Sequence, residues 1–273
     1  MSSPQSQEFD LDDHTNYKIL NELIAGRMSV RKLKTDPLPE GTIDRVLENA
    51  RWAMSGANSQ PWEYIVVTDP DMKQKLYDTY YEINNEFIFW MEQQRAMEYR
   101  HPAYILDGDP EEALDEVRKK QGWNTAPALI VVIGDGRKQW GTVQGAHTLG
   151  LHQTHLTDGL TNTSFLIHLS AAALGLGTQW VTIHIEEPFK RVLGVPDLYT
   201  LFTIIPIGLP AVEPRPGVRR PLDDLVHHDR FEQDKFLTNK EILEYIRNLR
   251  NKTVGKYASS FGDAESNRVT TGS

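Results

Sequence analysis

The sequence contains no cysteine in its 273 residues. Disulfides, thiolate nucleophiles and Cys-ligated zinc are therefore excluded, and any redox chemistry needs a cofactor to carry the electrons. Basic residues are also scarce, because 29 Lys and Arg stand against 38 Asp and Glu, which gives a net charge of -9. Since sequence-independent nucleic-acid binding needs clustered positive charge, we expect no nucleic-acid partner, and any anionic ligand must be held by a few well-placed cations.

Long apolar runs are missing as well. The N-terminus, MSSPQSQEFDLDDHTNY, is polar and acidic and has no apolar signal core. No stretch approaches the roughly 20 apolar residues of a membrane span. We therefore expect a cytoplasmic protein with no membrane partner, although its 39% hydrophobic content is enough for a substantial core.

Helical and strand patterns alternate between two polar ends. Apolar residues recur at helical spacing in 19–24, 43–53 and 164–177, whereas YIVVTD, APALIVVIGD and TLFTIIPIG predict strands. No repeat or linker interrupts them, so we predict one α+β domain at 15–257, with flexible tails at 1–14 and 258–273. Residues 84–124 lack a clean period, which favours a variable, lid-like insertion.

Two segments near the N-terminus carry unusual polar groups. In RMSVR, Arg27, Ser29 and Arg31 lie on one side of an extended chain, where two guanidinium groups and a hydroxyl suit a phosphate. Alternating charge on an exposed strand is the simpler alternative. The second segment, MSGANSQPWEY at 54–64, has more hydrogen-bonding side chains than a surface turn needs, and we predict that its Trp62 packs in the core.

Two further segments lie towards the C-terminus. In LGLGTQWVTI at 174–183, the glycines either let the backbone approach a flat ligand closely or simply end the preceding helix. Arg219 and Arg220 form a second pair of cations, in a loop that prolines stiffen.

The histidines suggest other possibilities. His147, His152 and His155 lie within nine residues of each other, but they lack the Cys or carboxylate ligands typical of zinc sites, so we predict no metal site. Solvated or helix-lining imidazoles are the favoured alternative. His168, between apolar neighbours on a helix, is predicted to be a core residue with satisfied hydrogen bonds.

In this order and at these separations, the four segments resemble the motifs of the FMN-dependent nitroreductase family, which also includes iodotyrosine deiodinase-like proteins. RMSVRKL resembles the family's RRSVRxF, ARWAMSGANSQPWEYIVV its polar loop and following strand, and AALGLGTQW with VLGVPDLYTLFTIIPIGLP its closing motifs. Met28 and Met54 depart from the family pattern. The resemblance implies an α+β sandwich with a central mixed, mainly antiparallel sheet flanked by helices, built as an intertwined homodimer with FMN at the interface.

By this resemblance, the cations surround the ribityl phosphate and the pyrimidine edge, Ser55 and Asn58 reach the flavin from the other subunit, and a backbone N–H near Thr182 faces flavin N5. The implied cofactor contacts are Arg27, Met28, Ser29, Arg31, Met54, Ser55, Asn58, Gln60, Trp180, Val181, Thr182, Ile183 and Arg219. The insertion supplies the expected contacts to an aromatic substrate, with plain packing onto the body as the alternative. These residues are Phe87, Trp90, Tyr99 and Tyr104.

The implied activity is that of a flavoprotein oxidoreductase. NADPH or NADH reduces FMN, and a nitroaromatic or similar electron-poor aromatic compound is then reduced by ping-pong hydride transfer through flavin N5, with no catalytic side chain required. A reductive dehalogenase resembling iodotyrosine deiodinase is one alternative, although that branch tends to have His and Glu where this chain has Asn58 and Gln60. A flavin-binding storage or regulatory protein is the non-enzyme alternative.

Overall fold

A computed structural model of the chain describes residues 14–100, 104, 108–119, 122–138, 152–213, 217 and 219–259. Most of both predicted tails lies outside the described residues, as do His147 and the side chains of His152 and His155. That these three histidines form no metal site therefore stays a prediction.

The described residues form helices on both faces of one sheet. The helices are α1 (Thr15–Gly26), α2 (Thr42–Ala50), α3 (Pro70–Tyr80), α4 (Glu86–Gln93), α5 (Pro110–Lys119), α6 (His152–Ala173), α7 (Glu187–Leu193) and α8 (Asn239–Ser259). The strands are β1 (Trp62–Val67), β2 (Ala128–Asp135), β3 (Gly177–Thr178), β4 (Val181–Thr182) and β5 (Tyr199–Gly208).

The strand order is β1-β2-β5-β3, and β4 also pairs with β5. Each of these strand pairs is antiparallel, while Ser29 forms a parallel bridge with Thr178 at the β3 edge. The predicted fold class, an α+β sandwich with a mixed and mainly antiparallel sheet, is confirmed.

Strand β2 is buried along its whole length because it has a core on each face. Alternate side chains point to opposite faces of a strand, so Ile130 and Val132 pack in the cluster that includes Leu160 of α6, whereas Leu129 and Val131 pack in the cluster that includes Leu76 and Phe189. This explains why the sequence of β2 is a continuous apolar run rather than an alternating one.

Helix α6 is longer than the predicted helix at 164–177. It spans His152–Ala173, so the polar residues TDGLTNT, upstream of the apolar run, are also helical. At its other end the chain turns at Gly175, whose φ of +72° is left-handed, and the N–H of Leu176 bonds back to Ala171 O. The predicted glycine cap is thus confirmed.

The described residues of the insertion are largely helical. A π-helical turn, Tyr81–Asn85, joins α3 to α4 without a break in the chain direction. Such a turn adds one residue per hydrogen-bonded ring and shifts the apolar face of the helix. Phe89 of α4 is 1% exposed, so the segment has a small core of its own although its sequence shows no clean period.

Candidate functional site

The RMSVR segment is fixed as an added strand beside β3. The N–H of Val30 donates to Thr178 O at 2.8 Å, and farther along the segment Leu33 bridges Pro210. Val30 is 2% exposed, whereas Arg27, Ser29 and Arg31 are half-buried. Val30 thus faces the core between the half-buried Ser29 and Arg31, as the alternation predicts, whereas Met28 is half-buried like its neighbours, so a common side for Arg27, Ser29 and Arg31 stays a prediction.

The structure brings Arg27 close to Arg219, from the opposite end of the chain. Burial lowers the pKa of Arg27, and the positive charge of Arg219 lowers it further. A half-buried guanidinium whose charge is disfavoured by a neighbouring cation creates a positive potential that an anion would relieve. The surroundings of Arg27 are thus those of an anion site in an acidic protein.

A cavity of about 180 Å³ adjoins this segment. Its charged lining residues are Glu22 and Arg27, and the rest of the wall is apolar or backbone from α1, the end of α6 and the β3 edge. Thr178 lines this cavity, and its carbonyl accepts the N–H of Val30, so the cavity and the RMSVR segment both depend on Thr178.

The loop at 54–60 has a strained backbone. Ala57, Asn58 and Gln60 have φ values of 52°, 52° and 46°, all left-handed, although none is glycine. Asn tolerates this conformation, but for Ala and Gln it costs about 1 kcal/mol or more each. Strain of this kind is retained where surrounding contacts or a function require it.

Contacts to α6 hold this loop in place. Asn162 donates from Nδ2 to Met54 O at 3.1 Å, while a Cβ on Gly159 would lie 3.2 Å from Pro61, so the glycine permits close approach. The hydroxyl of Ser55 accepts the N–H of Gln60 at 3.0 Å and keeps its own proton to donate. The Met54 side chain is 77% exposed, so its departure from the family pattern is tolerated by a position held through its backbone.

Trp62 is 7% exposed and packs in the main core, as predicted. In the third segment, Val181 is buried, and its carbonyl accepts from Thr203 Oγ at 2.8 Å. Trp180 and Ile183 are half-buried, and Thr182 is exposed. Of the four predicted cofactor contacts in this segment, Val181 is thus a core residue whose side chain faces away from solvent, and contact by the other three stays a prediction.

The predicted substrate residues divide into two groups. Phe87 and Trp90 are exposed by 55% and 40%, whereas Tyr104 packs edge-on against Phe89 at 6.1 Å. Tyr99 accepts a 2.8 Å hydrogen bond from Arg247 of α8. Substrate contact by any of the four stays a prediction.

Sequence reasoning overlooked the supporting role of α6. Asn162 holds the polar loop, and His168 bonds to Thr178 beneath the cationic segment. Six residues of helix separate them, a rise of about 9 Å. The structure therefore brings Arg27, Arg219 and His168 together, and attaches the 54–60 loop nearly two turns away on the same helix.

Within the part of the chain that the structure describes, no group of three or more His, Asp or Glu residues is arranged to hold a metal ion. Nor do these described residues include a helix that is long and apolar enough to span a membrane.

Residues 24–209 match the Nitroreductase family, so the chain belongs to that family, as the four segments predicted. It is similar to iodotyrosine deiodinase 1 of Sus scrofa, with 30% identity over 234 residues, or 81% of this chain and 68% of that protein. It is similar to an NADH dehydrogenase of Thermus thermophilus, with 30% identity over 212 residues, or 73% of this chain and 91% of that protein.

A solved structure of oxidized iodotyrosine deiodinase, bound to FMN and 3-iodo-L-tyrosine, has the same fold. Its TM-score is 0.55 at 22% identity, and the match covers 78% of this chain and 100% of that one. These relatives have different names and activities, so membership of the family leaves the substrate of this chain open.

Proposed function

We propose that this protein is an FMN-dependent oxidoreductase that uses NADPH or NADH to reduce nitroaromatic or similar electron-poor aromatic compounds. One observation carries the proposal: the charge of Arg219 acts on Arg27, which lies two residues from Ser29 in a segment that β3 holds extended. Such an arrangement suits a phosphate, and membership of the Nitroreductase family supports FMN as its source.

The described residues fit FMN in three respects. The cations of Arg27 and Arg219 would neutralise the phosphate, and the hydroxyl of Ser29 would donate to it. The exposed side chains of Asn58 and Gln60 would offer amide groups to the polar edge of the flavin. The backbone at 180–183 would line the ring, because Val181 fixes it to the core.

When bound, FMN supplies the electron transfer from the nicotinamide to the acceptor. The protein's own residues bind and orient the partners. Arg31 adds a fixed positive charge on the open side of the segment, and such charges stabilise the negative charge that a reduced flavin carries. Phe87 and Trp90, exposed on α4, would offer aromatic faces to an aromatic substrate.

The protein is further proposed to act as a homodimer, because a single chain leaves large apolar side chains exposed. Four lie on α1, and others follow the cationic loop towards the C-terminus. A second copy would bury them and bring its 54–60 loop to the cationic segment of the first. The exposed residues are Tyr17, Ile19, Leu20, Ile24, Leu222, Leu225, Phe231 and Phe236.

One experiment tests cofactor, electron donor and activity together. The purified protein, supplied with FMN, is expected to show a protein-bound flavin spectrum, to be bleached anaerobically by NADPH or NADH, and to recover its colour when a nitroarene is added. Arg27→Gln should bind FMN more weakly. A protein that neither binds FMN nor reduces a nitroarene would contradict the proposal, and bound FMN that neither nicotinamide reduces would favour the storage or regulatory alternative.

A reductive dehalogenase is the second candidate function, because iodotyrosine deiodinases are among the relatives at 30% identity. Parallel assays with 3-iodo-L-tyrosine and a nitroarene separate the two candidates. Release of iodide with no nitroarene reduction would favour dehalogenation. The Asn58 and Gln60 pair, where deiodinases tend to have His and Glu, favours nitroarene reduction.

A further inference from the structure

His168 is buried, yet only one of its ring nitrogens is bonded. The side chain is 6% exposed on α6, and Nδ1 lies 2.7 Å from Thr178 Oγ. Nε2 is buried and has no hydrogen-bond partner among the described residues. The prediction of a satisfied core histidine is thus wrong for Nε2. Because an unsatisfied buried polar atom costs about 1–3 kcal/mol, its retention calls for an explanation.

Thr178 connects this imidazole to the anion site. Its hydroxyl bonds to His168, whereas its carbonyl accepts the N–H of Val30, and it also forms the bridge to Ser29. The imidazole and the RMSVR segment are therefore attached to the same residue. A change in the charge of His168 acts directly on the support of that segment.

Burial, with a smaller effect of a neighbouring charge, explains why His168 is neutral without an anion. Burial lowers its pKa to about 4, and the positive charge of Arg27 adds to the effect. Arg219 acts on Arg27 in turn, and Glu22 is the acidic residue of the adjoining cavity. Across the imidazole, the ring of Trp180 stacks at 5.9 Å with an interplanar angle of 25°, a face that attracts a cation.

We propose that His168 is a proton-linked positioning residue of the anion site: it is neutral when the site is empty and takes one proton from solvent, at Nε2, when a phosphate group neutralises Arg27 and Arg219. In the charged state, Nδ1–H donates to Thr178 Oγ and the indole of Trp180 stabilises the imidazolium. The role rests on the proposed function, since the phosphate is taken to be that of FMN.

The linkage between protonation of His168 and anion binding sets how strongly anion affinity depends on pH. If anion binding favours the protonated imidazole, protonation must favour anion binding by the same factor. A rise in the pKa of His168 from about 4 towards the ordinary value of about 6.5 would strengthen anion binding by up to about tenfold between pH 7.5 and pH 5.5. Burial is the larger cause of the lowered pKa and persists in the complex, so the gain stays nearer to threefold and needs the attraction of the bound dianion in addition to the neutralisation of Arg27.

Sulfate is the sharpest probe because it stays a dianion over this pH range. Its dissociation constant is measured for the full-length protein, for His168→Asn and for Glu22→Gln, together with histidine ring 15N NMR spectra. Asparagine can still bond to Thr178 but does not titrate. We expect sulfate to bind about three- to tenfold more tightly at pH 5.5 than at pH 7.5 in the wild type and in Glu22→Gln, and less than twofold more tightly in His168→Asn.

The NMR spectra report the proton directly. Adding sulfate at pH 5.5 should convert the His168 ring signals, assigned by their loss in His168→Asn, from neutral imidazole to imidazolium. A neutral ring in the presence of bound sulfate, equal pH dependence in His168→Asn and wild type, or no sulfate binding would each overturn the role of His168. If His168→Asn fails to fold, His168→Gln identifies the signal.

Failure of the proposed function would be observed separately. A wild-type protein that binds FMN and is reduced by NADPH upholds that function even when His168 stays neutral. Binding of sulfate without binding of FMN contradicts the proposed function but upholds the link between anion binding and protonation of His168.

Discussion

Replacing Ala57 with glycine should stabilise the protein, although glycine in place of alanine normally destabilises. Ala57 has φ 52° and ψ 26° and an exposed side chain, so the substitution removes little packing. Relief of the left-handed conformation stabilises the folded state by about 1–2 kcal/mol. The greater entropy of glycine in the unfolded chain opposes this by about 0.5–1 kcal/mol. The net gain in the free energy of unfolding is about 0.5–1 kcal/mol, or a rise in Tm of about 1–3 °C.

Urea denaturation, followed by tryptophan fluorescence, measures this gain against a matched control. Ala96 is also exposed and lies outside the α-helices, but its φ of −57° carries no penalty. Ala96→Gly should therefore lower the free energy of unfolding by about 0.5–1 kcal/mol. If Ala57→Gly lowers it by the same amount, the loop does not hold a left-handed backbone in solution, and the strain assigned to the 54–60 loop is wrong.

Three further perturbations test the electrostatics of the protein. Arg219→Gln should weaken FMN binding, measured by quenching of flavin fluorescence, by about 10- to 100-fold, because a charge-assisted contact is lost. In the absence of anions, the same variant should be no less stable than wild type, because its repulsion of Arg27 is relieved. A lower free energy of unfolding would contradict this repulsion. A hydrogen bond from Arg137 lowers the pKa of Asp135, so Arg137→Gln should be less stable than wild type at neutral pH. The difference should begin to shrink below the unfolded-state pKa of about 3.9 and disappear as the pH falls through the lower folded-state pKa; a difference that is constant with pH would exclude this pairing as its cause. Because the folded-state pKa of His168, about 4, lies below its unfolded value, wild type should lose on the order of 3 kcal/mol relative to His168→Asn as the pH falls from about 6.5 to about 4; parallel pH–stability curves for the two proteins would show that His168 is not buried as a neutral group.

The sheet could be predicted from sequence because its long strands are apolar runs that only a two-sided core explains. β1, β2 and β5 lie where the patterns placed them, within two or three residues. The segment at 177–183 contains two short strands, β3 and β4, which are separated by a break and both pair with β5. The periodicity of the sequence does not reveal such a break, because the position of the break depends on where the partner strand offers hydrogen bonds.

Parts of two helices could not be predicted from the periodicity of the sequence. The first half of α6 escaped prediction because its residues are polar, and tertiary contacts such as that of Asn162 with Met54 O support it. Helix α4 escaped because the π-helical turn before it shifts the apolar face by a fraction of a turn. Helix α8 extends to Ser259, two residues into the predicted tail.

At the site, sequence reasoning identified the residues through a family resemblance, and the structure adds their relations. The meeting of Arg27 with Arg219 depends on contacts between distant parts of the chain, which no local pattern encodes. Left-handed backbone at Ala57 and Gln60 could not be foreseen, because the residue types that signal it are Gly and Asn. The unbonded Nε2 of His168 becomes visible only once its neighbours are known.

The position of β5 between β2 on one side and β3 and β4 on the other sets the order in which parts of the site open. Amides of β5 and of the short strands that it holds should exchange with deuterium only through global unfolding, whereas those of the 54–60 loop should exchange through local opening. A ligand at the cationic segment would then slow exchange mainly in the loop. Deuterium uptake would therefore report binding at the loop while the sheet beneath it stays silent.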